Sequence, residues 1–391
     1  MNKLTDDEKK IIREHLTDGL PSLSLKMEKL SRNISSDKLF IINQIAGRQK
    51  VRDKIPSWYH NEDLIYPPKL SLEQASSELT AQYKTKLLKG NTLVDLTGGI
   101  GVDTAFLSSC FSSVVYIERQ KELVDIARHN FKILGLSHVE TFNAEAEQFL
   151  ETMSPVDCLF IDPARRSITG RKLVSISDCE PNIILLQDTM LSKSKHILIK
   201  LSPMLDIKQA LALLNKVAEV HVVSIDNECK ELLFLLSNEA LSEPEITCVN
   251  LNRDGEQVER FYYSEEKDCI STYANTVKQY LYEPNVSILK AGYYKGIALK
   301  YKLEKLHRDS HLYTSDNLVA DFPGRIFQVT SDFPKERANI ATRNYPLSAD
   351  ELRKKLKLKD GGEIFLFGTT LVNGKKTIIS TERVNSSSLK R

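Results

Sequence analysis

"VDLTGGIGVDT", residues 94 to 104, carries three glycines within four positions, Gly98, Gly99 and Gly101. It runs on from the apolar stretch "TLVDL" and leads into "VDTAFLSSCF", which reads as a helix. A strand, a glycine turn and a helix in that order let the main chain approach a ligand closely, because glycine has no Cβ and accepts positive φ. The neighbouring residues narrow the ligand. A phosphate-binding loop needs Lys and then Ser or Thr after its last glycine. Here Val102 and Asp103 follow Gly101, so that reading is excluded. A dinucleotide turn reads GxGxxG and lays a pyrophosphate on the helix N-terminus. Asp103 would repel a pyrophosphate and suits a cationic ligand.

Outward from this turn, strands and helices alternate. "SVVYIE", "VETFNA", "DCLFID" and "HILIKLS" read as strands, with helical segments between them. "EVHVVSID" and "ECKELLFLLS" read as a closing hairpin. Alternation of this kind predicts an α/β fold, a parallel sheet with helices on both faces. Ahead of it, residues 1–85 lack strand runs and predict a helical segment. Thr5 starts one helix, a second ends at Pro56, and a third is expected from Leu72 to Leu88 behind Ser71. Beyond residue 240 the pattern becomes a mixture of short strands and helices, with "RDGE", Gly361-Gly362 and "VNGKK" as turns. The expected domains are therefore 1–85, 86–240, 241–324 and 325–391.

The chain has 391 residues, 41% hydrophobic and 27% charged, the composition of a soluble globular protein. No apolar run is long enough to span a bilayer, and the polar start "MNKLTDDEKKIIREHL" is unlike a secretory signal, so a cytoplasmic location is expected and no membrane partner. Six cysteines lie at uneven spacing with no CxxC pair, and the eight histidines form no ligand-spaced cluster with them. Reduced thiols and no metal are expected. The net charge is +2, but Arg325 to Arg391 holds 14 Lys and Arg against 7 Asp and Glu. A local excess of this size points either to a polyanionic partner or to a solvated helix face such as "ELRKKLKLKD".

Asp95, Thr97, Gly99 and Gly101 form a D-x-T-x-G-x-G pattern that resembles the first motif of class I S-adenosylmethionine-dependent methyltransferases. The resemblance implies that Gly98, Gly99 and Gly101 pass the main chain against the methionine part and ribose of the cofactor, with Thr97 and Asp103 beside them. Asp95 at the strand end can hold water or the cofactor's ammonium. Glu118 ends the second strand 23 residues on, where an acid can accept from ribose hydroxyls. Ala144 and Glu145, after Asn143, stand where such enzymes contact the adenine. Gln74, Ser76, Ser77 and Glu78 precede the first strand and could cover the cofactor.

"DCLFIDPARR" places Asp162, Pro163, Arg165 and Arg166 at the end of the fourth strand, the edge at which parallel sheets bind ligands. It resembles the (D/N)-P-P-(Y/F/R) motif of methyltransferases that modify amino groups or nucleic-acid bases, with Ala164 in place of the second proline. Asp162 and the Pro163 carbonyl could accept the hydrogens of an exocyclic amine, and Arg165 and Arg166 could hold a phosphate or carboxylate. Asp162 also belongs to the expected cofactor pocket. Covalent pyrimidine chemistry needs a thiolate, and "KLSP" at the end of the fifth strand has none.

With "EQASSELTAQYK", "YLYEPNVSILKAG" and "RNYPLSADELRKKLKLKDGGEIFLFGTT", these segments resemble bacterial class I methyltransferases that carry a C-terminal THUMP-like domain. The resemblance covers about residue 40 to 385. It implies a Rossmann-like seven-stranded sheet, a C-terminal α+β region made of a ferredoxin-like and a THUMP-like part, S-adenosyl-L-methionine as cofactor, and RNA (tRNA or rRNA) as partner. The expected activity is methylation of a base nitrogen in structured RNA. Two rivals remain at this point: a methyltransferase of a small molecule or protein, and a non-enzymatic RNA-binding protein that keeps the fold.

Overall fold

Thr5 starts the first helix, α1 (Asp6–Glu14), by a reciprocal cap: its hydroxyl accepts from the Glu8 amide and the Glu8 carboxylate accepts from the Thr5 amide at 2.8 Å. The computed structural model describes residues 4–19, 38–165, 176–240 and 242–384. The chain divides into two compact units, Met1–Glu219 with Leu232–Ser242, and Val220–Glu231 with Glu243–Arg391.

In the first unit, α2 (Lys38–Lys54) stops before Pro56, which opens the short helix α3 (Pro56–Tyr59). A proline has no N–H to lose at a first helical position. The single helix expected from Leu72 to Leu88 is instead two, α4 (Lys69–Gln74) and α5 (Glu78–Lys84). Ala75 between them is extended and the Ser77 hydroxyl caps the Thr80 amide. Ser76, at the break, donates to the buried carboxylate of Asp103 at 2.7 Å, a bond between residues distant in sequence that periodicity does not register.

The alternation then follows as expected: β1 (Thr92–Asp95), α6 (Val102–Leu107), β2 (Ser113–Glu118), α7 (Lys121–Ile133), β3 (Val139–Asn143), α8 (Ala146–Thr152) and β4 (Val156–Ile161). A two-residue strand β5 (Ala164–Arg165) pairs with β6 (Cys179–Glu180). After α9 (Ile183–Lys193), β7 (Ser194–Leu201) and α10 (Ile207–Leu213) comes the hairpin β8 (Val217–Ile225) and β9 (Glu228–Ser237). These strands follow the order β8-β9-β7-β4-β1-β2-β3 within a nine-stranded sheet, where seven strands were expected; the two further strands stand beyond β8. β7, β4, β1, β2 and β3 are parallel, and β9 is antiparallel to β7. The order reverses at β1, between β2 and β4, which leaves a crevice at their C-terminal ends. Trp58, Leu64, Tyr66 and Leu72 from the N-terminal segment pack with Ile100 and Val102, so that segment backs the glycine turn.

In the second unit, β10 (Glu245–Asn252) and β11 (Gly255–Phe261) form the expected hairpin about "RDGE". There follow α11 (Tyr263–Asp268), β12 (Tyr280–Pro284), α12 (Val286–Ala291), α13 (Gly296–Lys300), β13 (Glu304–Lys305), β14 (Tyr313–Ser315), β15 (Gly324–Val329), β16 (Asn339–Arg343), α14 (Ala349–Leu356), β17 (Ile364–Thr370) and β18 (Lys376–Arg383). One seven-stranded sheet runs β13-β14-β12-β15-β18-β17-β16. β13–β14, β14–β12, β12–β15, β15–β18 and β18–β17 pair antiparallel, and β16 pairs parallel with β17, which α14 joins as a crossover. Phe327 and Phe367 are buried in its core with Leu281 and Ile379.

Candidate active site

The glycine turn is shaped by two opposite demands. At Gly98 a Cβ would stand 2.0 Å from the Tyr116 ring, and at Gly101 (φ 84°) 2.7 Å from Phe131, so these glycines serve packing. At Gly99 (φ 55°) a Cβ would meet nothing within 4 Å. That face of the turn is open, as a ligand cradle must be. The Tyr116 hydroxyl donates to the Gly99 carbonyl and fixes the turn from beneath. The Gly99 amide donates to the Glu118 carboxylate at 3.0 Å, and the Gln120 amide to its other oxygen at 2.8 Å. Glu118 is thus a buried carboxylate held by two backbone amides beside the open glycine.

Asp95 ends β1 fully buried. It accepts from the Thr97 amide at 3.0 Å and the Thr104 hydroxyl at 2.6 Å. Burial pushes its carboxyl up to about 7; the two hydrogen bonds oppose this, and the nearby carboxylates of Asp103 and Asp162 add to it. Asp103 is the contrasting case. Burial would raise it too, but the ammonium groups of Lys84 and Lys200 hold it below the usual carboxylate range. Lys84 Nζ lies 3.1 Å from Asp103 Oδ1, and Lys200 Nζ 3.8 Å from Oδ2. Lys84 is fully buried. The acid that suited a cationic ligand in the sequence is therefore met by cations of the chain itself.

Asp162 stands just past β4. Its amide donates to the Thr97 hydroxyl at 2.6 Å, which joins the two strand ends. Its Oδ2 is paired with Lys200 at the end of β7. Lys84, Asp103, Lys200 and Asp162 make a row of alternating charge across the strand ends. Pro163 is buried and Ala164 exposed. Arg165 is in β5, and Arg166 lies outside the described residues.

Asp95, Thr97, Gly98, Gly99, Gly101, Asp103, Glu118 and Asp162 are thus gathered at one crevice. The Ala144 amide donates to the Glu118 carbonyl at 3.3 Å, which sets the end of β3 beside that of β2. Glu145 is the exposed cap residue of α8, with no side-chain bond to its helix. Of the covering candidates, Ser76 is bound to Asp103, Ser77 caps α5, and Glu78 accepts from the Ser57 amide and hydroxyl at 2.9 and 2.8 Å. Sequence reading missed Lys84 and Lys200. The available signal for Lys200 was its place at the end of the strand next to β4; Lys84 gave none. Cys158 is buried within β4 and its thiol is pushed to about 11, so it supplies no thiolate at neutral pH.

The crevice can hold a cation of extended shape. Four carboxylates (Asp95, Asp103, Glu118 and Asp162) stand against two ammonium groups, and the Gly99 face is clear.

Comparison with known proteins agrees with this chemistry. Residues 69–174 match the protein-L-isoaspartate(D-aspartate) O-methyltransferase family, residues 280–323 a ferredoxin-like domain and residues 328–383 a THUMP domain-like family. The crystal structure of a protein from Porphyromonas gingivalis W83, described as a methyltransferase, is 33% identical and superposes with a TM-score of 0.86 over 97% of this chain and 98% of that one. An uncharacterized S-adenosylmethionine-dependent methyltransferase of Mycobacterium tuberculosis is 24% identical over 301 residues, 74% of this chain and 80% of that protein. The protein-L-isoaspartate O-methyltransferase of Chromobacterium violaceum is 27% identical over 146 residues, 33% of this chain and 66% of that protein. No helix among the described residues is long and apolar enough to cross a membrane.

Proposed function

The chain belongs to the S-adenosylmethionine-dependent methyltransferases with ferredoxin-like and THUMP-like C-terminal parts, and on that premise we propose that it methylates a base nitrogen of structured RNA, tRNA or rRNA, in the cytoplasm. The observation that carries the RNA reading is the THUMP-like match over residues 328–383, in the segment with a basic excess. Residues 325–391 serve as the THUMP-like domain in this reading and 241–324 as linker and ferredoxin-like domain. Residues 86–240 are the catalytic domain and 1–85 the helical segment behind it.

The residues present fit the cofactor. Gly98, Gly99 and Gly101 give it a close main-chain surface, with Thr97 at the edge, and Glu118 accepts from its ribose hydroxyls. Ala144 and Glu145 border its adenine. Asp95, buried beneath the turn, attracts its ammonium through its charge, and Asp103 adds negative field while held by Lys84. The cofactor supplies an electrophilic methyl group on a sulfonium.

Asp162 then orients the acceptor. Lys200 occupies Oδ2, and Oδ1 has no partner among the described residues. That oxygen and the Pro163 carbonyl accept the N–H groups of the acceptor amine, so that its lone pair faces the methyl carbon. Placement of this kind contributes most of the rate in an in-line displacement. Asp162 would stabilise the positive charge that the acceptor nitrogen gains as the sulfonium loses its methyl group and becomes a neutral thioether, until the nitrogen's proton passes to solvent. Arg165 and Arg166 hold the adjoining phosphate.

Incubation with labelled cofactor and total cellular RNA tests the reading. Label is expected in RNA with the parent protein and none with Asp162→Ala, both with cofactor binding verified. Label that appears only in protein or small molecules would overturn the RNA assignment.

A further inference from the structure

The second unit holds a cavity of about 850 Å³, lined by that unit alone. This is the size range of sites for small organic ligands. Its walls differ in chemistry. One wall comes from the seven-stranded sheet and presents Arg325, Arg343 and Arg383. The other comes from the turns of the β8–β9 and β10–β11 hairpins and from the start of α12, and it is rich in carboxamides.

The arginine wall is organised around Glu283, a buried carboxylate at the end of β12. Arg325 donates to its Oε2 through Nε and Nη2, and Arg343 to its Oε1 through Nε at 2.9 Å. One carboxylate thus fixes two guanidinium groups and neutralises one of them. Arg325 Nη1 and the whole Arg383 guanidinium have no partner among the described residues. The close approach that this wall needs is visible at Gly324, where a Cβ would stand 2.2 Å from the Glu283 carbonyl.

The carboxamide wall is equally fixed. Asp226 and Asn227 adopt φ of 48° and 64° in the two-residue hairpin turn. Asn227 Oδ1 accepts from the Val286 amide at 2.7 Å, and its own amide donates to Asn250 Oδ1 at 2.8 Å. Asn285 Nδ2 donates to Gln257 Oε1 at 2.8 Å. These bonds leave Asn285 Oδ1 as an acceptor, and Asn227 Nδ2 and Gln257 Nε2 as donors, without partners among the described residues. Donors and an acceptor held side by side match the edge of a nucleobase, and the unpaired Arg383 guanidinium with Arg325 Nη1 matches a phosphate. Asp226 and Asp254 on the hairpin wall can accept from ribose hydroxyls.

We propose that this cavity binds a nucleotide unit, its phosphate on Arg325 and Arg383 and its base edge on Asn227, Gln257 and Asn285. The unit can come from a free 5′-mononucleotide or from a single-stranded stretch of RNA. The inference goes beyond methyl transfer and does not depend on it.

Calorimetric titration of the full-length protein, without cofactor, tests it. The probes are the four ribonucleoside 5′-monophosphates and a short mixed-sequence single-stranded RNA. At least one probe binds, and Arg383→Glu and Gln257→Ala each weaken it about tenfold or more, the scale of one lost charge-assisted bond. Lys376→Glu, an exposed charge reversal on the same strand, leaves it unchanged. Displacement of a bound mononucleotide by the RNA, or binding of the RNA alone, assigns the source to RNA; a mononucleotide that RNA does not displace assigns it to the free ligand. No binding by any probe overturns the proposal, as does equal weakening by Arg383→Glu and Lys376→Glu. Because no methyl transfer is read, an inactive enzyme leaves this result intact.

Discussion

Asp162, half-buried, and Glu283, buried, are carboxylates at strand ends whose surroundings are opposite. Asp162, with Asp95, Asp103 and Glu118, belongs to a crevice in which acids outnumber the ammonium groups of Lys84 and Lys200. Glu283, in the second unit, is outnumbered by the guanidinium groups of Arg325 and Arg343. The first arrangement retains negative charge for a cation, and lysine serves it as a compact point charge. The second retains positive charge for an anion, and arginine serves it because a planar fork grips a carboxylate and still has donors left.

The comparison breaks first at Lys84. Its ammonium is fully buried against Asp103, whereas the arginines around Glu283 are half-exposed. Lys84→Met leaves the buried Asp103 carboxylate with Lys200 at 3.8 Å and the Ser76 hydroxyl, and is expected to cost about 3–5 kcal/mol in urea unfolding, the scale for a broken buried pair. Arg343→Met should cost less than half as much, because Arg325 still holds Glu283. Equal losses would show that the two clusters are not differently built.

Next is the open face of the turn. Gly99→Val fills the space left for a ligand, and cofactor affinity should fall at least a hundredfold, about 2.7 kcal/mol, in a protein that remains folded by circular dichroism. Unchanged affinity would move the cofactor elsewhere. Gly98→Ala has the converse signature. It drives a methyl group into the Tyr116 ring and should lower stability by about 1–3 kcal/mol.

The last effect is one of pH. The Asp95 carboxyl titrates at about 7, well above its ordinary 3.8, so the folded state holds a proton that the unfolded chain releases. The stability contributed by this group therefore falls as pH rises from about 4 to 7 and is constant above. The field of Asp95 attracts a ligand cation only in the ionised form, so cofactor affinity should rise with pH below 7, by at most about tenfold per unit, and level off above it. Asp95→Asn should flatten both profiles; a cofactor titration still steep between pH 6 and 7 in that variant would assign the effect to another group. Asp103 has the reverse sign: its ion pairs hold its folded pKa low, and their contribution is lost only as pH falls through that value.

Much of this architecture was legible beforehand. The strand and helix alternation from Asn91, the hairpin after "HILIKLS" and the hairpin about "RDGE" all follow from period and turn chemistry, which are local. The break at Ala75 was not legible, because the Ser76 bond to Asp103 joins residues separated by 27 positions. Nor was the pairing of Lys200, whose partner Asp162 is 38 positions away, just past the adjacent strand.

By itself the sequence determined that the turn at 94–104 faces no phosphate, that acids end the first, second and fourth strands, and that a parallel sheet brings such ends to one edge. These follow from residue type and spacing alone. Only the tertiary structure decided which acids are already matched. Asp103 is met by two lysines of its own chain, Asp162 has one oxygen taken by Lys200, and Asp95 is left to share a proton near neutrality. Charge balance at a buried site depends on distances of a few ångströms between residues far apart in the chain, where low dielectric makes each ångström count.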